Sequence, residues 1–263
     1  MSKEIKYFFY IILIICIMGF GVTITLTQLE IVKYGSPIFM IFYGLSGYSP
    51  AIAGLLSAHK FYSKIEFKRF LKSCINIKKG FKEYLYVLIT IFILWLTPFI
   101  IICFFRDEHI LLSYPLVFLT WLTPIMVFGG GLEEIGWRGF LLPKLLSRYS
   151  PLKSSLIIGV IWSLWHLPIW FIVGSPQQSI NFIPFSLSCI ASSFVLTFIY
   201  METNSIWLCI LFHALDNACS YIFKYSVDMH VVISSFTAIV GLLILFISTK
   251  YIKNSLRSCR QRH

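Results

Sequence analysis

The sequence predicts an all-α, polytopic membrane protein of about eight transmembrane helices, with the N- and C-termini cytoplasmic. Three observations predict it. Of the 263 residues, 58% are hydrophobic and 13% charged, with a mean hydropathy of +0.82, which excludes a disordered chain and an ordinary soluble domain. Apolar runs of about 18–23 residues recur along the whole length, enough for a helix to cross a hydrocarbon core. The short-period alternation of a strand-built barrel is absent.

The runs fall near 7–29, 36–58, 84–105, 112–132, 154–174, 180–200, 205–223 and 229–250. Lys3 and Lys6 precede the first, but its apolar run is long and no small-residue cleavage site stands out, so it reads as a retained anchor. Between the second and third lies a loop crowded with Lys60, Lys64, Lys68, Arg69, Lys72, Lys78, Lys79 and Lys82. Lys144, Arg148 and Lys153 follow the fourth, and Lys250, Lys253, Arg257, Arg260 and Arg262 follow the eighth. The remaining loops hold little basic charge: Lys33, Arg106 and Lys224. Under the positive-inside rule, an even number of spans with both ends inside satisfies every loop at once. Basic loops beside a bilayer also meet anionic headgroups, which accounts for the net charge of +11 without nucleic acid. The seven cysteines form no CxxC pair and lie mostly in spans, as small buried apolar residues do.

Polarity divides the chain into three parts. Residues 1–111 read as a transmembrane scaffold with its basic cytoplasmic loop, 112–225 as the part that carries chemistry, and 226–263 as a last span and basic tail. The middle part holds three polar constellations.

The first lies in GLEEIGWRGF, residues 131–140. Each charge at mid-membrane costs about 2.5–3.5 kcal/mol even on lenient insertion scales. In a helix Glu134 and Arg138 are four apart and can pair, whereas Glu133 points about 100° away. A buried structural salt bridge would explain the pair but not the spare carboxylate, which is costly unless it is used. The second is Trp162-x-x-x-His166 in IWSLWHLPIW. There Trp162 packs against or shields the imidazole, and Pro168 kinks the span nearby. The third is His213-x-x-x-Asn217 in LFHALDNACS, two hydrogen-bonding side chains presented to one point. Asp216 lies about 60° off that face and reads as a carboxylate that orients His213 or pairs elsewhere.

If the fourth helix continues to Pro143, Glu133 lies about 15 Å from its inner end, His166 about 18 Å and His213 about 12 Å from theirs. Three spans thus bring polar residues to one level in the inner half of the bilayer, as one shared site would. A buried carboxylate beside an imidazole can deprotonate water. An imidazole and a carboxamide can hold the oxyanion of a tetrahedral intermediate. Peptide-bond hydrolysis without a protein nucleophile fits this set, and no cofactor is required. Zinc held by Glu133, His166 and His213 is the alternative, although no HExxH helix is present. A proton-coupled transporter and a non-catalytic immunity protein are further alternatives. A transporter would more often show repeat symmetry and paired interrupted helices, and neither is visible.

Glu133-Glu134-x-x-x-Arg138, Trp162-x-x-x-His166 and His213-x-x-x-Asn217, in this order, resemble the CPBP family of intramembrane proteases. That family groups CAAX-processing and bacteriocin-processing enzymes and includes the type II CAAX prenyl endopeptidases. Its signature is EExxxR, FxxxH and HxxxN or a near equivalent, so Trp162 departs from the usual phenylalanine. The resemblance covers about residues 118–223 and makes 112–225 the protease core. It implies eight helices around a conical cavity open to the cytosol. It further implies Glu133 as general base with His166 positioning the water, an oxyanion site at His213 and Asn217, and Glu134 and Arg138 in support. The implied partners are the lipid bilayer and a protein or peptide substrate, lipidated or not: a CAAX-type, pheromone or bacteriocin precursor. The implied location is the plasma membrane, with the site facing the cytoplasm. The Ile- and Lys-rich composition points to a bacterial source.

Overall fold

A computed structural model of the chain describes residues 2–106, 114–223 and 227–260. Most of the sequence-predicted 106–110 loop, Lys224 and Arg262 lie outside the described residues, as do the side chains of Arg106, Lys253, Arg257 and Arg260.

Among the described residues the fold is helical. Helix α1 (Lys3–Gln28) is capped by Ser2, whose hydroxyl accepts from the Ile5 N–H, and it relaxes into a π-turn at Ile17–Gly21. A Cβ on Gly19 would lie 2.6 Å from the Phe42 carbonyl oxygen, so glycine brings α1 against α2 (Pro37–Gly47) at backbone contact. Helix α3 (Ser49–Phe61) continues from α2 after a 47° bend at Tyr48. The basic stretch that reads as a loop in sequence instead forms helix α4 (Lys64–Ile75). Ser63 and Glu66 close a capping box on it, and Phe67, Phe70 and Cys74 turn one face inward while the lysines stay out.

Helix α5 (residues 81–106) carries a second π-turn at Phe92–Leu96. Helices α6 (Leu116–Phe128) and α7 (Gly131–Leu146) meet at a 42° bend. Then come α8 (Pro151–Phe171), α9 (Phe182–Thr203), α10 (Ile206–Ile222) and α11 (Val227–Arg260). By length and composition α1, α5, α8 and α9 can each cross a membrane. The bent pairs α2–α3 and α6–α7 raise the number to six, and α10 and the Ser234–Lys250 part of α11 are shorter apolar helices. This is a multi-pass membrane protein.

Helices α8, α9 and α11 form a side-by-side layer held by small polar residues, which compensate in lipid for the weak hydrophobic drive between helices. Ser193 and Thr197 of α9 donate to Ser155 of α8, and Ser188 pairs with Ser234 of α11. Helix α7 is the most enclosed: every residue from Glu133 to Leu142 is buried. Its seat depends on two glycines. A Cβ on Gly136 would lie 2.1 Å from the Pro50 carbonyl oxygen, and one on Gly54 would lie 2.8 Å from the Gly136 Cα. The helix with the acid pair therefore lies backbone to backbone on α3.

Candidate active site

The expected continuous fourth helix does not form. It ends at Phe128 and restarts after Gly129 and Gly130, because Gly130 adopts φ +151°, a backbone that side chains disfavour. A Cβ on Gly131 would lie 2.9 Å from the Ile210 carbonyl oxygen, so the glycine run also lies directly on α10. Glu133 follows in a tight turn whose N–H bonds the Gly130 carbonyl at 2.9 Å. The chain then widens into a π-helix at Ile135–Leu141, where Pro143 has no N–H to give the Gly139 carbonyl. A depth measured along one straight helix to Pro143 therefore does not describe Glu133.

The two adjacent carboxylates diverge. Glu133 Oε2 accepts from the Trp162 indole Nε1–H of α8 at 2.8 Å. Glu134 pairs with Arg138 Nη1 at 3.0 Å, both side chains fully buried, and its Oε1 accepts from His213 Nδ1–H of α10 at 2.9 Å. Arg138 also lies 5.3 Å from the Trp162 ring centroid, a cation–π contact. Glu134 thus bonds two side chains on two helices.

His166 ends the α-helical part of α8, and Leu167–Phe171 continues as a tighter 3₁₀ turn carrying Pro168. Its Nδ1–H donates to the Trp162 carbonyl at 2.9 Å. A carbonyl only accepts, so this bond puts the proton on Nδ1 and leaves Nε2 with the free lone pair in the neutral ring. The rings of Trp165 at 4.5 Å and Phe185 at 5.2 Å hold the imidazole plane.

On α10, His213 and Asn217 share a face one turn apart. A Cβ on Gly130 would lie 2.4 Å from Asn217 Nδ2 and 3.2 Å from His213 Nε2, so both nitrogens converge on the space beside that glycine. Trp162 stands between the motifs, its ring 5.0 Å from His213 and 5.9 Å from His166. Glu133 and His213 are nearly sealed at 7% and 3% exposure, whereas His166, Asp216 and Asn217 are half-buried, which opens the cluster on their side.

All seven sequence-predicted site residues, Glu133, Glu134, Arg138, Trp162, His166, His213 and Asn217, gather in this one cluster. Asp216 belongs to a different set of bonds. Its Oδ1 accepts from Trp95 Nε1–H of α5 at 2.7 Å and its Oδ2 from Ser192 Oγ–H of α9 at 2.8 Å, which ties α10 to two neighbours. For the alternative zinc set, among the described residues no three His, Cys, Asp or Glu side chains are grouped to hold a metal ion. Glu133 Oε2, His166 Nδ1 and His213 Nδ1 are each engaged by protein. Sequence reasoning missed Gly130, Trp95 and Ser192. The run of glycines at 129–131 is masked by the apolar run around it, and the other two carry no signal.

The same stretch is known from other proteins. Residues 115–219 match the family model described as type II CAAX prenyl endopeptidase Rce1-like. A protein of Methanococcus maripaludis named CAAX prenyl protease 2 is 32% identical over 143 residues, 51% of this chain and 53% of that protein. This segment is similar to the Rce1-like family. The matched Rce1-like segment runs from the start of α6 almost to the end of α10 and contains all three motifs. The chain spans about half the length of the curated relative it matches.

Proposed function

We propose that the protein is an intramembrane endopeptidase that hydrolyses a peptide bond of a membrane-associated protein or peptide through a water activated by Glu133. The observation that carries this reading is the convergence of His213 Nε2 and Asn217 Nδ2 beside Gly130, in the cluster that also holds Glu133. Glu133 takes a proton from water, and the hydroxide adds to the scissile carbonyl carbon. The carbonyl oxygen becomes an oxyanion held by the two nitrogens. Collapse breaks the C–N bond, and the proton on Glu133 passes to the leaving amine.

The bond from His213 Nδ1–H to Glu134 has a consequence for this step. In a neutral ring the proton on Nδ1 leaves Nε2 bare, so His213 donates to the oxyanion only as an imidazolium. Glu134 is its counter-ion and Arg138 completes the balance. Two carboxylates, a guanidinium and an imidazolium sum to zero, which makes so many charges tolerable inside a membrane. No step in this sequence of events requires metal.

The name of the relative points to CAAX-type substrates, and a pheromone or bacteriocin precursor fits the same chemistry. We read both termini, and the open side of the site, as facing the cytoplasm of the plasma membrane, a reading that the positive-inside pattern of the basic segments supports. Cysteine labelling from outside intact cells should reach 174–180 and not 60–83; the reverse pattern overturns the orientation. The central test is cleavage of a farnesylated peptide with a CAAX-type end by purified protein, wild type against Glu133→Ala, with and without chelator. Activity in Glu133→Ala defeats the glutamate mechanism. Loss with chelator and restoration by zinc defeats the metal-free one.

A further inference from the structure

Trp162 carries one polar group, its indole N–H, and presents it to Glu133. Four contacts radiate from this side chain. Its ring stands edge-on to His213 at 5.0 Å, tilted to His166 at 5.9 Å, and 5.3 Å from the Arg138 guanidinium carbon. A phenyl ring occupies the same place on the helix and keeps contacts of this kind. The fourth contact is the Nε1–H bond to Glu133 Oε2 at 2.8 Å, which a phenyl ring cannot make.

A buried carboxylate needs hydrogen-bond donors, and a charge-assisted bond at this length is among the stronger ones available. Glu133 has 7% exposure, so bulk water reaches it poorly. With Oε2 bonded to the indole, rotation about the last side-chain bond is restrained. The backbone reinforces the tether. The Trp162 carbonyl accepts from His166 Nδ1–H at 2.9 Å, so one residue fixes a carboxylate through its side chain and an imidazole through its main chain.

We infer that Trp162 is a positioning residue that orients the Glu133 carboxylate through its indole N–H, so that this chain sets its general base by a hydrogen bond unavailable to a phenylalanine at the same place. The inference rests on Glu133 as the base, yet the bond itself is measurable without turnover.

The test uses the full chain in detergent, labelled with ¹⁵N at its seven tryptophan indoles. The signal missing from Trp162→Phe identifies Trp162. It should stand among the most downfield indole protons in the wild type and move upfield in Glu133→Gln, which removes the charged acceptor. In the cleavage assay Trp162→Phe should lower kcat by about 10–100-fold with KM within about twofold, the scale of effect expected when a reacting group is misplaced by about an ångström. Its melting temperature should stay near that of the wild type, whereas Trp162→Leu, which also loses the ring contacts, should melt lower.

An indole signal indifferent to Glu133→Gln overturns the bond and the inference with it. Unchanged kcat in Trp162→Phe overturns the positioning role even if the bond exists. Equal losses of kcat and melting temperature in the Phe and Leu variants assign the effect to packing and also overturn it. Turnover retained by Glu133→Gln is a different result: it defeats the glutamate mechanism, and the indole shift still reports the bond.

Discussion

Buried threonines in α1 and α5 are satisfied differently from the carboxylates of α7 and α10. Thr23 in α1 donates to the Gly19 carbonyl and Thr90 in α5 to the Tyr86 carbonyl, each one turn back in its own helix. Glu133, Glu134 and Asp216 instead find partners 29, 79 and 121 positions away in sequence. A bond closed within a turn says nothing about neighbouring helices and leaves them free to slide. A bond across helices fixes register and rotation, which a site assembled from three spans requires. The contrast shows where this membrane protein stores its geometry: in the polar groups that its own helix cannot satisfy.

The largest effects should come from the acid pair, where the two fates of a buried carboxylate are side by side. Glu133→Gln should abolish cleavage with thermal stability near wild type, since the amide keeps the volume and an oxygen for Trp162. Glu134→Gln should instead lower stability by about 3–5 kcal/mol, the range for breaking a buried pair, because Arg138 and His213 both lose their counter-ion. Thermal melts and cleavage rates on the two variants decide it. If Glu134→Gln melts like wild type, the bonds across helices are not what holds the cluster.

Next in size is the pair on α10. Asn217→Ala should reduce kcat about 10²–10³-fold with KM nearly unchanged, as for the loss of one oxyanion donor. His213→Ala should do the same or worse, and the double variant should lose less than the sum because both serve one oxygen. An effect mainly on KM would make Asn217 a substrate-binding residue and remove it from the mechanism.

How much was legible beforehand follows the same division. Of the eight expected spans, four to six among the described residues are helices long and apolar enough to cross a membrane, legible because length and hydropathy are local properties. The i, i+4 pairs Glu134–Arg138 and His213–Asn217 were readable because one helix turn places them. Where Asp216 would bond was not, because Trp95 and Ser192 lie on other helices and no spacing connects them. The break at Gly129–Gly130 was hidden by the apolar run around it, which continues across the bend without a change in hydropathy. Helix α4 was lost in a stretch that charge marks as outside the membrane, although Ser63 and Glu66 spell a capping box. The role of the Trp162 indole N–H was not legible either, because its acceptor, Glu133, lies on another helix.

A smaller effect should follow at Asp216, the bond across helices outside the chemistry. Asp216→Ala leaves two donors, the Trp95 indole and the Ser192 hydroxyl, without their acceptor, and should cost about 1–3 kcal/mol. Trp95→Phe removes one of the two bonds and should cost less. Some activity should survive in both, because neither change touches a group that meets the substrate.

The smallest effect should come from the local bonds, and it is the one that sharpens the comparison most. Thr90 is buried at 3% exposure, as much as His213, and its hydroxyl bonds the Tyr86 carbonyl at 2.7 Å. By burial alone its loss should matter. That carbonyl already has a lone pair engaged by the helix ladder, however, and valine keeps the branched shape, so Thr90→Val removes a donor and strands no acceptor. Thermal melts should move by the equivalent of about 0.5 kcal/mol or less, with cleavage unchanged. A loss comparable to that of Asp216→Ala would mean that burial, rather than the reach of the bond across helices, decides the worth of a polar group in this protein.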